Sequence, residues 1–231
     1  MKLLPRFDFH IHTCCSKDSP MKPIKIIKVA KMKGLEGIAV TDHNTIQGGL
    51  DVAKYADSNF KVIIGSEIIT KTCEIIGLFL KNEIRSNDPL EVIDKIKKQD
   101  GLSILPHPFR SNSLFQKPLN LNLIRIAEKV DAIEVFNART PTASNEKARL
   151  LKLKLNKSMV AGSDAHFYNE IGNATTLLPI FKNEKELKTN ILEGKTTVEI
   201  RKNSFVHVLP FRFLSFIYGH TNKIRTNRVQ S

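Results

Sequence analysis

Short apolar runs recur along this chain, and each is followed closely by polar or charged residues. Residues 6–11 alternate Phe7, Phe9 and Ile11 against Asp8 and His10, the period of a half-buried strand. Similar runs at 37–40, 60–65, 74–80, 102–105, 132–136 and 158–161 predict further strands. Segments 23–33, 46–58, 88–99, 119–129 and 145–155 read as helices between them. Boundary residues agree: Gly34 stops the first helix, Asp88-Pro89 opens the third, and Ser144 caps the fifth. A run at 177–180, a helix over 184–193 and a strand over 197–200 close the regular part.

Alternating strands and helices are the mark of repeated βαβ units. Six of the strand ends carry chemistry-bearing residues: His10/His12, His43, Glu67, His107, Asn137/Arg139 and Asp164/His166. An open sheet would spread these in a line, whereas a barrel gathers them around one pit at its C-terminal rim. The fold expected is therefore an α/β, distorted (β/α)7 barrel spanning 1–204, followed by a basic and aromatic tail over 205–231. No glycine-rich nucleotide fingerprint is present, since GLEG at 34–37 and GSD at 162–164 fit neither common pattern.

Of 7 histidines, His10, His12, His43, His107 and His166 fall at expected strand ends, and His207 and His220 lie in the tail. One histidine after a strand commonly caps a helix or packs as a polar group. Five at one rim, with Asp18, Glu67 and Asp164 beside them, point to metal ligation. His10 and His12 are two apart and point the same way. Asp8 is expected on their face but deeper, accepting a hydrogen bond from a ligand imidazole. Glu67 is placed to bridge two ions with its two oxygens. Such a donor set suits two or three Mn²⁺, Zn²⁺ or Fe²⁺ ions and phosphoester hydrolysis through a metal-bridging hydroxide. Glu67, His107 and Asp164 are expected to take part in the chemistry, with Arg110 and Arg139 holding a substrate phosphate.

The segments DFHIHTCCSKDS, GIAVTDHNT, GSE at 65–67, LPHPF and GSDAH resemble the successive motifs of the polymerase and histidinol phosphatase (PHP) family. The resemblance implies a seven-stranded barrel, a trinuclear metal centre and phosphoesterase activity. It implies that His10 and His12 with Glu67 and Asp164 hold one ion, and Asp18, His43 and His166 another. Glu67 with His107 would reach the third. Aspartate at position 18 belongs to the smaller, nucleotide- or RNA-acting branches. The chain departs from the fuller pattern at the fourth strand, CEIIGLFL, which lacks a histidine; Glu74 is the nearest substitute.

Charge narrows the substrate. The chain of 231 residues carries 36 Lys and Arg against 23 Asp and Glu, a net +13 that favours anionic partners. A nucleotide or short single-stranded nucleic acid is the expected substrate. Histidinol phosphate is the first alternative, and a non-catalytic RNA-binding subunit the second. No run approaches the ~20 apolar residues of a membrane span, and Pro5, Arg6 and Asp8 interrupt the N-terminal segment before a signal-peptide core can form. A cytoplasmic protein with free thiols at Cys14, Cys15 and Cys73 is expected. The aromatic part of the tail, 205–218, is expected to pack on the barrel.

Overall fold

The computed structural model describes residues 4–110 and 121–201. The expected tail over 205–231, with His207 and His220, lies outside them. The described residues form nine strands and six helices: β1 Arg6–Ile11, α1 Pro23–Met32, β2 Gly37–Val40, α2 Gln47–Ala53, β3 Lys61–Ile69, β4 Glu74–Leu78, α3 Pro89–Lys98 and β5 Leu102–Leu105. They continue as α4 Leu121–Lys129, β6 Ala132–Asn137, α5 Thr142–Leu155, β7 Ser158–Gly162, β8 Ala174–Leu177, α6 Glu184–Leu192 and β9 Thr197–Ile200. One sheet contains them in the order β7-β6-β5-β4-β3-β2-β1-β8-β9.

The sheet curls until its first and seventh strands meet. Ile11 bridges Ala165 in parallel, with His12 N–H donating to the Ala165 carbonyl at 3.0 Å and Ala165 N–H to that of His10 at 3.3 Å. At the opposite end β8 wedges into the seam. It pairs antiparallel with β1 at Arg6 and Phe7, while the Thr176 hydroxyl satisfies the N–H and carbonyl of Ala161. The result is a barrel-like α/β fold. Among the described residues, no helix is long and apolar enough to cross a membrane.

Strict βα alternation fails between β7 and β8 and, within the first seven strands, between β3 and β4. β4 runs antiparallel to both β3 and β5, whereas β1–β2–β3 and β5–β6–β7 are parallel. Only residues 70–73 separate β3 from β4, too few for a parallel crossover, which needs about a dozen residues. A tight turn closes them instead, with Thr70 N–H donating to the Cys73 carbonyl at 3.1 Å. The expected α2 also ends early, at Ala53 rather than 58.

Packing separates a dry barrel floor from a polar mouth. Phe7, Phe9, Ala39, Ile63, Ile76, Ile104, Ala132 and Val160 draw on all of β1–β7 and form one buried cluster. Leu187 and Ile191 of α6 join it and close the bottom. Removing apolar surface of this kind from water contributes about 25 cal/mol per Å². α1 and α2 cover the outer side of β2, where Ile26, Ile27, Ala30 and Val52 pack with Ile38 and Val40. α3 is capped as expected, the Asp88 carboxylate accepting from the N–H groups of Leu90 and Glu91.

Two bulges set which side chains face the mouth. The β1–β2 register shifts between Asp8 and Ile11, so β1 carries one extra residue there. Phe7 and Phe9 therefore join the floor while His10 and His12, in the opposite phase, line the mouth above it. A second shift between Glu134 and Phe136 in β6 brings Glu134 and Asn137, three apart, onto the same side.

Candidate metal centre

The first bulge corrects one expectation. Asp8 faces away from the imidazoles and accepts the backbone N–H groups of Ser163 (2.8 Å), Gly172 (2.8 Å) and His10 (3.3 Å). It pins β1 to the segment after β7, and burial raises its carboxyl to about 6 against those three donors. Glu134 occupies the place expected of Asp8: its Oε1 lies 3.0 Å from His10 Nδ1.

The remaining sequence-identified residues converge. His10 Nε2 and His12 Nε2 are 3.1 Å apart, and each lies 3.5 Å from a Glu67 oxygen. Asp164 Oδ1 stands 3.6 Å from His10 Nε2 and 3.3 Å from His12 Nε2. Glu67 spans the mouth, with Oε1 2.9 Å from His107 Nε2 and Oε2 3.1 Å from His43 Nδ1. On the outer side, Asp18 Oδ2 is 3.1 Å from His166 Nε2 and 3.5 Å from His43 Nε2. Glu74 joins the rim, with Oε2 3.6 Å from His107 Nε2. Asp18, in the loop after β1, keeps its side chain half-exposed, whereas His10, His12, Glu67 and Asp164 are buried.

Four overlapping sets of ligand-type atoms lie within 4.8 Å of one another: His10/His12/Glu67, His10/His107/Asp164, His12/His43/His166 and His43/Glu67/Glu74. Buried polar atoms in native proteins nearly always find partners. Here Asp164 Oδ1 and His43 Nδ1 are buried with no well-aligned hydrogen bond among the described residues, although Glu67 Oε2 lies 3.1 Å from the latter, and two imidazole nitrogens face each other. A divalent ion satisfies both conditions, and a mixed imidazole and carboxylate donor set is one that divalent transition metals prefer. The residues fit a divalent metal cofactor. Cys14 is exposed and Cys15 half-buried, and neither belongs to these sets.

Electrostatics divides the imidazoles. Burial, reinforced by neighbouring His166, lowers His12 to about 3. Burial also opposes charge on His43, but Asp18 and Glu67 overcome it and raise His43 to about 10. His10 is likewise raised, because Asp164, Glu134 and Glu67 outweigh its desolvation. Glu67 and Asp164 stay ionised far below the usual carboxylate range despite burial, held by His10 and its neighbours and, for Asp164, by Arg110. This is a pit of fixed negative charge partly neutralised by protonated imidazole.

Both expected arginines reach the site. Arg110 ion-pairs with Asp164 Oδ2, and Asn137 Nδ2 donates to the same oxygen at 3.3 Å. Arg139 lies 3.8 Å from Glu170 Oε1 and 3.5 Å from the Asp164 carbonyl. Three supporting groups escaped the sequence reading. Asp42 accepts from Thr13 N–H (2.7 Å), Thr13 Oγ1 (2.8 Å) and Ser16 Oγ (2.6 Å), and Ser16 Oγ is 3.2 Å from His12 Nδ1. Glu170 accepts the N–H groups of His166 and Phe167. Glu134, the charged residue in the apolar strand AIEVFN, carried the clearest signal of the three. Asn44, His107 and Asp164 also adopt left-handed backbone, φ 57°, 26° and 54°, a conformation non-glycine residues rarely hold without local support.

The PHP-associated family profile matches residues 142–196. An uncharacterised protein of Methanocaldococcus jannaschii is 44% identical over 145 residues, covering 57% of this chain and 81% of the relative. A second uncharacterised protein of that organism is 36% identical over 174 residues, covering 73% of this chain and 68% of the relative. The fold is similar to that of a two-domain Bacteroides vulgatus protein described as containing a predicted PHP-like metal-dependent phosphoesterase, with a TM-score of 0.71 and 19% identity. That match covers 86% of this chain and 65% of the Bacteroides structure, so the chain spans less than two thirds of that protein's length.

Proposed function

We propose that this chain, which belongs to the family of PHP-like metal-dependent phosphoesterases, hydrolyses phosphate esters of nucleotides or short oligonucleotides with two or three divalent ions. The observation that carries this reading is the set of four overlapping ligand groups around Glu67 and His12. Overlap of this kind suits neighbouring ions that share ligands rather than one isolated site.

When bound, such ions lower the pKa of water and neutralise charge on a phosphoryl oxygen. The chain's own residues do the rest. Glu67 reaches His107 with one oxygen and His43 with the other, which suits a bridging role. Asp164 and Asp18 supply carboxylates on opposite sides of His12 and His166. Arg110 and Arg139 bring two cations to the Asp164 side of the mouth, where they can offset charge on a substrate phosphate. Mn²⁺, Zn²⁺ and Fe²⁺ are the ions this donor set favours. The net charge of +13 and aspartate at position 18 support a nucleotide or oligonucleotide substrate.

A turnover panel tests this reading. Mn²⁺-loaded protein is given a nucleoside 3′,5′-bisphosphate, a short 5′-phosphorylated RNA, single-stranded DNA and histidinol phosphate, and released phosphate or nucleotide is measured. Turnover of one of the nucleotide substrates is expected. Selective turnover of histidinol phosphate would replace the substrate assignment. Should His43→Ala and Asp164→Ala bind RNA and act as the parent does, hydrolysis at this centre is wrong.

A further inference from the structure

We propose that Glu134 is a positioning residue: it selects the tautomer of His10 and ties His10 to the backbone of His107, so that two ligands from different strands are oriented by one buried carboxylate. This assignment rests on the metal centre proposed above and adds a function for a residue that sits beneath it.

Three donors meet on Glu134. Oε1 lies 3.0 Å from His10 Nδ1. Oε2 accepts the backbone N–H of His107 at 2.8 Å and an Asn137 amide hydrogen at 3.0 Å. The Glu134 and His10 side chains are 2% and 0% exposed, so water offers no substitute partner. An ionised carboxylate only accepts. Facing it, His10 Nδ1 carries a hydrogen, and the other ring nitrogen is left to the centre. That nitrogen, Nε2, is the one lying 3.5 Å from Glu67 and 3.6 Å from Asp164. The second oxygen does a different task. It holds the N–H of His107, whose φ of 26° is unusual for a side-chain-bearing residue, with the imidazole 2.9 Å from Glu67. Glu134 is buried, and its hydrogen-bond partners among the described residues are His10, the His107 backbone and Asn137, so it acts through the histidines.

Glu134→Gln is the informative change because it preserves shape and removes one acceptor. If the new amide nitrogen faces His10, the imidazole must accept at Nδ1 and carries its hydrogen on Nε2, where it blocks ligation. If the amide is turned the other way, its NH₂ opposes the His107 and Asn137 donors. Either orientation damages one ligand. Titration of chelator-stripped protein with Zn²⁺ at fixed pH should show affinity about 10- to 100-fold below the parent. Circular dichroism reports whether the variant folds. In the Zn²⁺-loaded parent, ¹⁵N imidazole spectra should place the His10 hydrogen on Nδ1, a signature that general packing by Glu134 would not produce.

Equal Zn²⁺ affinity in folded Glu134→Gln overturns the assignment and leaves the centre intact. So does a His10 hydrogen on Nε2 in the loaded parent, a result that decides the matter even if the variant does not fold. A parent that takes up no Zn²⁺ overturns the centre itself, and Glu134's function with it.

Discussion

Gly162 sits where the barrel closes, and Gly162→Ala should be among the most damaging single-methyl additions to this protein. A Cβ there would lie 2.3 Å from His10 Cβ and 2.9 Å from both Glu134 Oε1 and His10 N. Carbon pairs prefer about 3.5–4.0 Å, so β1 and β7 would have to separate by roughly 1 Å. His10 Cβ is the root of its side chain and cannot rotate away. Parting the strands stretches the two bonds across the seam, now 3.0 and 3.3 Å between residues 10–12 and Ala165. At about 1 kcal/mol each, with about 1–3 kcal/mol for overpacking, the cost is about 3–5 kcal/mol. Gly194→Ala provides the comparison. Its nearest neighbour is Ser158 Oγ at 3.6 Å, leaving mainly the strain of φ +67°, about 1–2 kcal/mol. Urea denaturation of chelator-stripped parent and variants measures both, and Zn²⁺ titration reads the displaced His10. A Gly162→Ala protein within about 1 kcal/mol of the parent, with undiminished Zn²⁺ binding, would show that β1 and β7 do not approach this closely.

Metal linkage should be visible in stability: Zn²⁺ at 100 times its Kd is expected to add about 2.7 kcal/mol, reversed by chelator, in a denaturation series. Uptake should strengthen with rising pH below about 10, because His43 is held protonated up to about 10 by Asp18 and Glu67 and an imidazolium cannot ligate. Calorimetry in buffers of different ionisation enthalpy should detect the released proton, and pH-independent binding would contradict this. Arg139→Ala should raise KM for a turned-over phosphate ester by about 10- to 100-fold, the loss of one charged hydrogen bond; an unchanged KM removes Arg139 from substrate binding. Asp88→Ala should cost about 1 kcal/mol in thermal or urea unfolding by uncapping α3, with metal affinity unaltered.

Much of the centre was legible because each ligand stands where an apolar run breaks. His10 lies near the end of β1, and His12, His43, His107, Asp164 and His166 follow strands whose burial is evident from composition. The order of these breaks along the chain was enough to place them around one rim. Facing was less legible. An extra residue in β1 inverts the phase of everything after it, and no glycine or proline marks the bulge in RFDFHI. Asp8, in step with His10 by simple alternation, therefore lands on the opposite side. Glu134 was overlooked for a related reason. Its strand was read for the residues at its end, although one charge inside AIEVFN has no cheap place in a buried strand unless it is paired.

The direction of β4 resolves the one apparent departure in the ligand pattern. Read as a parallel strand, CEIIGLFL would deliver its chemistry at the C-terminal end, where Phe79 and Leu80 offer none and a histidine is missing. The strand is reversed, pairing Ile69 with Glu74 and Gly65 with Leu78. Its C-terminal end consequently reaches the floor, where Leu78 and Phe79 belong to the apolar cluster. Its first residue, Glu74, arrives at the mouth beside His107, His43 and Glu67. The spacing already contained this result, since a parallel connection cannot be made across residues 70–73. The rim thus has a carboxylate at the β4 position, and an oxygen donor in place of an imidazole shifts that corner of the site toward harder divalent ions.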